Sequence, residues 1–203
     1  MSTGIVDCGT CNLDSIVRAV QECGGEPVVF SRPEGLDGVS RVILPGVGSF
    51  GHGIEKLRER GFEQPLREIV DVGVPLLGIC LGMQFLATKS WEGGERPGLN
   101  LIPGEVRRFA PTDPSVRIPH IGWNEVRLLQ SSPLFDGIPD GSDFYFVHSY
   151  HLADCTNGCV VARTDYCGGF VSAVARGSVF GVQFHPEKSQ QLGFTLLRNF
   201  LAI

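Results

Sequence analysis

Val74-Pro75-Leu76-Leu77-Gly78-Ile79-Cys80-Leu81-Gly82 is the stretch on which the reading of the chain turns. From Val74 to Ile79 it is apolar without alternation, as in a strand buried on both faces of a parallel sheet. It continues through Gly78-Ile79-Cys80-Leu81-Gly82 into a helical run from Met83 to Thr88. A nucleophile between two glycines at a strand-to-helix turn is the pattern of a nucleophile elbow. Such a turn strains the middle residue and brings neighbouring chain so close that a side chain at Gly78 or Gly82 would clash. The free N–H groups at the helix start favour a thiolate and can receive a developing oxyanion. Cys80 is therefore a candidate nucleophile, although a buried cysteine between two packing glycines would read the same way.

Upstream, short apolar strands alternate with helical patterns. Gly4-Ile5-Val6 is followed by Leu13, Ile16, Val17 and Val20 at helical spacing before Gly24. Pro27 to Phe30 and Arg41 to Leu44 read as further strands, and Ile54 to Val70 as helix with a break around Gly61 and Pro65. Strand and helix in turn imply a mostly parallel, doubly wound sheet. From Glu105 the character becomes β-rich: Glu105–Phe109, Trp123–Val126, Phe144–His151, Val160–Arg163 and Phe170–Arg176 are candidate strands. Val171–Ala175 and Val179–Phe184 flank Arg176-Gly177-Ser178, a hairpin with Gly177 expected in a left-handed conformation. Gly93 to Gly104 reads as a loop between the halves, and Leu192 to Leu201 as a closing helix. The expected fold is α/β: one domain over residues 1–203, a mostly parallel doubly wound sheet and a β-rich C-terminal half.

A thiolate nucleophile needs a base and a group to orient that base. Gln183-Phe184-His185-Pro186-Glu187 follows a strand and offers both, with Pro186 fixing the turn between His185 and Glu187. A histidine in a turn can also be merely solvated or hydrogen-bonded. Leu44-Pro45-Gly46-Val47-Gly48-Ser49-Phe50-Gly51 is a glycine-rich loop directly after a strand. In a parallel sheet such loops gather at the carboxyl ends of the strands, where the elbow also lies. The Val47 or Gly48 amide could form an oxyanion hole with the Leu81 N–H. The loop lacks the spacing and terminal Lys-Ser/Thr of a phosphate-binding P-loop.

With 203 residues, 42% of them apolar, the chain can bury a sizeable core. A net charge of -5 and the lack of a Lys/Arg block exclude a nucleic-acid partner. The sequence has no apolar run long enough to cross a bilayer and the start MSTGIVDCGT lacks a signal pattern, so a cytoplasmic, membrane-free protein is expected. Seven cysteines make an odd number that argues against a disulfide framework. Cys8/Cys11 and Cys155/Cys159 have spacings that also occur in redox or zinc motifs, but small buried thiols are the preferred reading and no metal is expected.

The chain resembles the class I (triad) glutamine amidotransferases through Pro45-Gly46-Val47-Gly48, Gly78-Ile79-Cys80-Leu81-Gly82-Met83-Gln84 and His185-Pro186-Glu187. Within them it is similar to the glutaminase subunits of imidazole glycerol phosphate synthase through Pro119-His120-Ile121-Gly122-Trp123-Asn124, Tyr145-Phe146-Val147-His148-Ser149-Tyr150 and Lys188. The resemblance covers nearly the whole chain. It implies cofactor-free hydrolysis of glutamine to glutamate and ammonia at Cys80, with His185 and Glu187 assisting. It also implies transfer of the ammonia to a separate barrel-type cyclase subunit in a heterodimer of histidine biosynthesis. By the same resemblance Gly48, Gln84, Ser149 and Tyr150 line the glutamine pocket, and Asn12, His120, Trp123, Tyr145 and Lys188 face the cyclase. Trp123 also suits a core position, Tyr145 a strand residue with a bonded hydroxyl, and Lys188 a solvated charge. The alternatives are an amidotransferase that feeds another synthase, a non-catalytic subunit on the same fold, or a redox protein using Cys8 and Cys11. One departure stands out: Asp7-Cys8-Gly9-Thr10-Cys11-Asn12 replaces the usual Asp-Tyr-Gly-x-Gly-Asn.

Overall fold

The computed structural model describes residues 2–9, 12–153, 155 and 158–203. The first half alternates as β1 (Ser2–Val6), α1 (Leu13–Glu22), β2 (Glu26–Phe30), β3 (Arg41–Gly46), α2 (Phe50–Glu59), α3 (Glu63–Asp71), β4 (Leu76–Cys80) and α4 (Leu81–Phe85). The second half is β5 (Lys89–Ser90), β6 (Arg96–Pro97), β7 (Glu105–Arg108), β8 (His120–Leu128), β9 (Ser142–His148), β10 (Tyr150–Ala153), β11 (Val160–Thr164), β12 (Phe170–Arg176) and β13 (Val179–Val182), closed by α5 (Gln190–Ala202).

Nine strands form one sheet in the order β2-β1-β3-β4-β13-β12-β11-β8-β9. The run from β2 to β13 is parallel, and the strands from β12 to β9 extend it antiparallel. The C-terminal strands therefore complete the sheet begun by the first half, and β13 returns to lie beside β4. A smaller sheet, β10-β7-β5-β6, lies apart. The strands alternate their side chains between two cores, as the pleat requires. Val42, Leu44 and Leu76 pack with α2, α3 and α4, while Ile43, Leu77 and Ile79 pack with α1 and α5.

Differences from the expected elements have local causes. The helix expected over 54–70 is two helices: α2 stops at Glu59, Gly61 takes φ 80° and α3 starts at Glu63. Pro65 lies in the first turn of α3, where a missing N–H leaves no helical bond unmade. The strand expected over 144–151 breaks at Ser149 into β9 and β10, which belong to different sheets. The helix expected over 83–88 begins at once after Cys80 and ends at Phe85. The loop expected over 93–104 contains β6, which pairs with β5. Gly177 adopts φ 58° in the β12–β13 hairpin. Cys11 lies outside the described residues, so only Cys8 of that pair is placed, buried beneath the Pro45 carbonyl. Among the described residues no helix is long and apolar enough to cross a membrane, and no cluster of three metal-ligating side chains occurs.

Candidate active site

Parallel pairing brings three chain segments to one end of the sheet. Gly46 of β3 lies opposite Cys80, and Val182 of β13 opposite Ile79, so the chain leaving each strand emerges beside the elbow. Cys80 has φ 53° and ψ -109°, a left-handed backbone that non-glycine residues rarely adopt. The glycines make this turn possible. A Cβ on Gly82 would lie 1.7 Å from the Leu44 carbonyl oxygen, and one on Gly78 would lie 2.8 Å from the Gly82 carbonyl. Leu81 opens α4, so its N–H has no partner within the helix and is available to an incoming oxyanion.

After β13 the chain passes Gln183 and Phe184 to His185, which is 2% exposed. His185 Nδ1 donates to Glu187 Oε1 at 2.8 Å, across a single 3-10 turn started by Pro186. Nε2 is buried and meets no protein nitrogen or oxygen. Burial pushes the imidazole's pKa down, but the Cys80 sulfur and the Glu187 carboxylate outweigh it and raise the value to about 10. The backbone around the ring is tied to β9. His185 N–H donates to the Tyr145 carbonyl at 2.9 Å. The Ser189 hydroxyl accepts from Tyr145 N–H at 3.0 Å and donates to the His185 carbonyl at 2.6 Å.

These groups line a cavity of about 310 Å³ whose wall includes Val47, Gly48, Cys80, Leu81, Gln84, Ser149, Tyr150 and His185. Gly48 has φ 98° and open space around it. Gln84 Nε2 donates to the Tyr150 carbonyl at 2.8 Å. The same carbonyl is 2.9 Å from His148 Nδ1, whose ring also lines the cavity. Burial, above all, lowers the His148 pKa to about 3, and burial lowers that of His120 to about 4. Both rings are therefore neutral, and their protons run one way. His148 Nδ1–H donates to the Tyr150 carbonyl, so its Nε2 accepts from His120 Nδ1 at 3.1 Å. The Glu92 carboxylate reaches the same cavity and accepts from Phe50 N–H, at the start of α2, at 2.7 Å. A cysteine at a helix start, a histidine able to carry a proton, backbone donors and a carboxylate around a space of this size suit acyl transfer on a small substrate.

Residues 4–203 match the family model described as glutamine amidotransferase class-I. The chain belongs to this family. Three relatives, each described as an imidazole glycerol phosphate synthase subunit HisH, align over almost all of it. The protein of Moorella thermoacetica is 44% identical over 97% of this chain and 92% of its own length. That of Bacillus cereus strain G9842 is 45% identical over 98% and 93%, and that of Xylella fastidiosa is 46% identical over 97% and 95%. Among solved structures, that of PurLQS from Thermotoga maritima superposes with a TM-score of 0.78 at 20% identity, covering 99% of this chain and 97% of the other. A crystal structure of glutamine amidotransferase gives 0.75 at 24% identity, covering 98% and 97%. These two likenesses show the shared fold.

The amidotransferase places most of the residues singled out in the sequence in two groups. Cys80, His185, Val47, Gly48, Leu81, Gln84, Ser149 and Tyr150 share the cavity. Glu187, Asn12 and Lys188 line a narrow crevice on the other side of His185 and the Pro45–Val47 backbone. Trp123 is 48% exposed with its ring 6.0 Å from that of Tyr145, and Lys188 Nζ lies 5.9 Å from the Tyr145 ring, so these three make one continuous face. His120 does not belong to that face. It is 4% exposed and stacked against Phe146 and Tyr166, on the opposite side of β8 from Trp123. Sequence reasoning passed over Gln183, Glu92, His148 and Ser189. Gln183 and His148 stand inside motifs quoted for their neighbours, whereas Glu92 follows a two-residue strand and carries no local signal.

Proposed function

We propose that this chain is the glutaminase subunit of an imidazole glycerol phosphate synthase, acting as one domain over residues 1–203. In this reading it hydrolyses glutamine at Cys80 and passes ammonia to a barrel-type cyclase subunit with which it forms a heterodimer of histidine biosynthesis. The observation that carries the reading is a cysteine in a left-handed conformation at a helix start, sharing a cavity with a histidine bonded to Glu187 at 2.8 Å. The relatives' printed descriptions support the choice of synthase. A reducing cytoplasmic setting fits the odd number of cysteines, seven, in the sequence.

The Cys80 thiolate attacks the side-chain amide carbon of glutamine, and the resulting oxyanion is held by the Leu81 N–H together with that of Val47 or Gly48. His185 gives its proton to the nitrogen as the C–N bond breaks, releasing ammonia and leaving a γ-glutamyl thioester. Water then loses a proton to His185 and attacks the thioester carbon; the C–S bond breaks, glutamate leaves and the thiolate returns. Glu187 keeps the ring's Nδ1 side occupied so that Nε2 does the transfer. Gln84, Ser149 and Tyr150 line the pocket, and Glu92 provides the negative charge for the substrate's α-ammonium group. Asn12, Trp123, Tyr145 and Lys188 form the docking face, and His120 lies buried on the other side of β8.

Hydrolysis without an acceptor wastes ammonia, so the subunit is nearly idle alone. The loop at Gly48 is the switch: its backbone has room to turn an oxyanion donor toward or away from the cavity. One such donor accounts for about a hundredfold in rate. Steady-state glutaminase kinetics of the chain alone, with the cyclase subunit, and with cyclase plus an acceptor analogue test this. The expected result is a stepwise rise in kcat/KM; equal values in all three would leave a free-standing amidase.

A further inference from the structure

Gln183 has no part in the steps above, yet it is wholly buried against the sulfur that does. Val182 and Ile79 are paired across parallel strands, so the next residue on each, Gln183 and Cys80, come side by side. Gln183 Nε2 donates to Cys80 Sγ at 3.7 Å, and Gln183 Oε1 accepts from Gln84 Nε2 at 3.0 Å. Gln84 Nε2 also donates to the Tyr150 carbonyl. Both N–H bonds of the Gln84 amide are thereby engaged, which fixes its orientation and leaves Oε1 as its remaining hydrogen-bonding atom. The main chain at Gln183 is pinned separately, through its N–H to the Ser172 carbonyl at 2.9 Å. An apolar side chain would fill this position without the desolvation cost that a buried amide carries.

We propose that Gln183 is a positioning residue for this site, its donor end steering the Cys80 sulfur and its acceptor end setting the face that Gln84 turns to the substrate. The inference rests on Cys80 being the nucleophile. The donor end matters most when sulfur carries negative charge, because an N–H bond to a charged acceptor is worth more than one to a neutral acceptor. The acceptor end acts on binding, since a Gln84 amide free to flip would present N–H groups where an acceptor is needed.

Two readouts separate these ends in the full-length chain. Alkylation by iodoacetamide, followed by peptide mapping, reads the Cys80 sulfur without substrate, and glutamine hydrolysis with the cyclase subunit present gives KM and kcat. Gln183→Leu removes both contacts, whereas Gln183→Glu keeps an acceptor for Gln84 and sets an ionised carboxylate against the sulfur. Both should alkylate at Cys80 at least about tenfold more slowly and lose kcat by a similar factor. Only Gln183→Leu should also raise KM severalfold. Thermal unfolding verifies that each variant is folded, and Gln183→Met replaces Gln183→Leu if that one is not. A folded variant that alkylates Cys80 at the wild-type rate overturns the proposal, as does an equal rise of KM in both. If instead the wild-type chain shows no preferential, glutamine-protected alkylation of Cys80, the nucleophile reading has failed and not this inference.

Discussion

At Cys80 the main chain does the positioning, with a left-handed backbone and two glycines that have no room for a Cβ, whereas at His185 side chains do it through Glu187 and Ser189. The difference sets how each half should fail. A backbone elbow packed against a neighbouring strand has no intermediate state, because a methyl group either fits or forces strands apart. A side-chain clamp loses one hydrogen bond at a time.

The largest effect should therefore come from Gly82→Ala, whose Cβ would sit 1.7 Å from the Leu44 carbonyl oxygen. Relieving that contact means moving β3 from β4 or unwinding the start of α4, a cost of more than about 4 kcal/mol. The expected outcome is little folded protein, measured by circular dichroism and thermal unfolding. A Gly82→Ala protein with wild-type Tm and glutaminase rate would break the comparison outright.

Next in size is the contrast within the clamp. His185→Asn removes the proton carrier and should lower kcat by about 10²- to 10⁴-fold. Glu187→Gln leaves a side-chain oxygen able to accept from Nδ1 and should keep partial activity. Both proteins should fold, and kcat with saturating cyclase subunit is the measurement. A wild-type rate for His185→Asn would remove His185 from the chemistry.

The same contrast explains what the sequence made legible. A backbone elbow leaves a signature in contiguous letters, because each of its close approaches demands glycine; Gly78, Cys80 and Gly82 were readable for that reason. The parallel half of the sheet was readable because strand and helix periodicities differ. Side-chain networks leave no such trace. Ser189 and His148 act across elements far apart in sequence, and Glu92 enters the cavity from a turn after a two-residue strand. The break at Ser149 was hidden because both sides of it are strand-forming residues, and the change of sheet is decided by partners β8 and β7. His120 sits close to Trp123 in sequence, yet its position on β8 turns it inward.

A third effect belongs to the side-chain-organised wall of the cavity. His148 is held neutral with its pKa lowered from 6.5 to about 3, burial being the main cause. Above pH 6.5 neither folded nor unfolded chain binds this proton. Below it the unfolded chain takes up a proton that the folded protein refuses until about pH 3, so stability is lost as pH falls. The slope approaches about 1.4 kcal/mol per pH unit for one such histidine. His120, lowered to about 4, adds in the same direction. Urea unfolding at pH 7, 6 and 5 should show the loss, and His148→Gln should reduce it. An unfolding free energy constant across that range would mean that these rings take up protons in the folded state.

The smallest effect sharpens the comparison most, because it concerns the link between the clamp and the face that carries Trp123, Tyr145 and Lys188. The Ser189 hydroxyl accepts from the Tyr145 N–H and donates to the His185 carbonyl, so one oxygen ties β9 to the chain that carries the imidazole. Ser189→Ala leaves the Glu187 bond and the direct bond from His185 N–H to the Tyr145 carbonyl in place. Two hydrogen bonds are lost at a buried site, and a loss of about 1 to 3 kcal/mol in stability is expected. If docking acts on the site through β9, partner-dependent activation should fall severalfold in Ser189→Ala while hydrolysis by the subunit alone changes less. Lys188→Ala, on the proposed docking face, provides the contrast: excess cyclase subunit should restore its activation but not that of Ser189→Ala. The measurement is kcat/KM for glutamine against cyclase concentration for both variants. Full restoration of Ser189→Ala at high cyclase would place the coupling elsewhere, at the Gly48 loop alone, and leave Ser189 as a stabilising bridge.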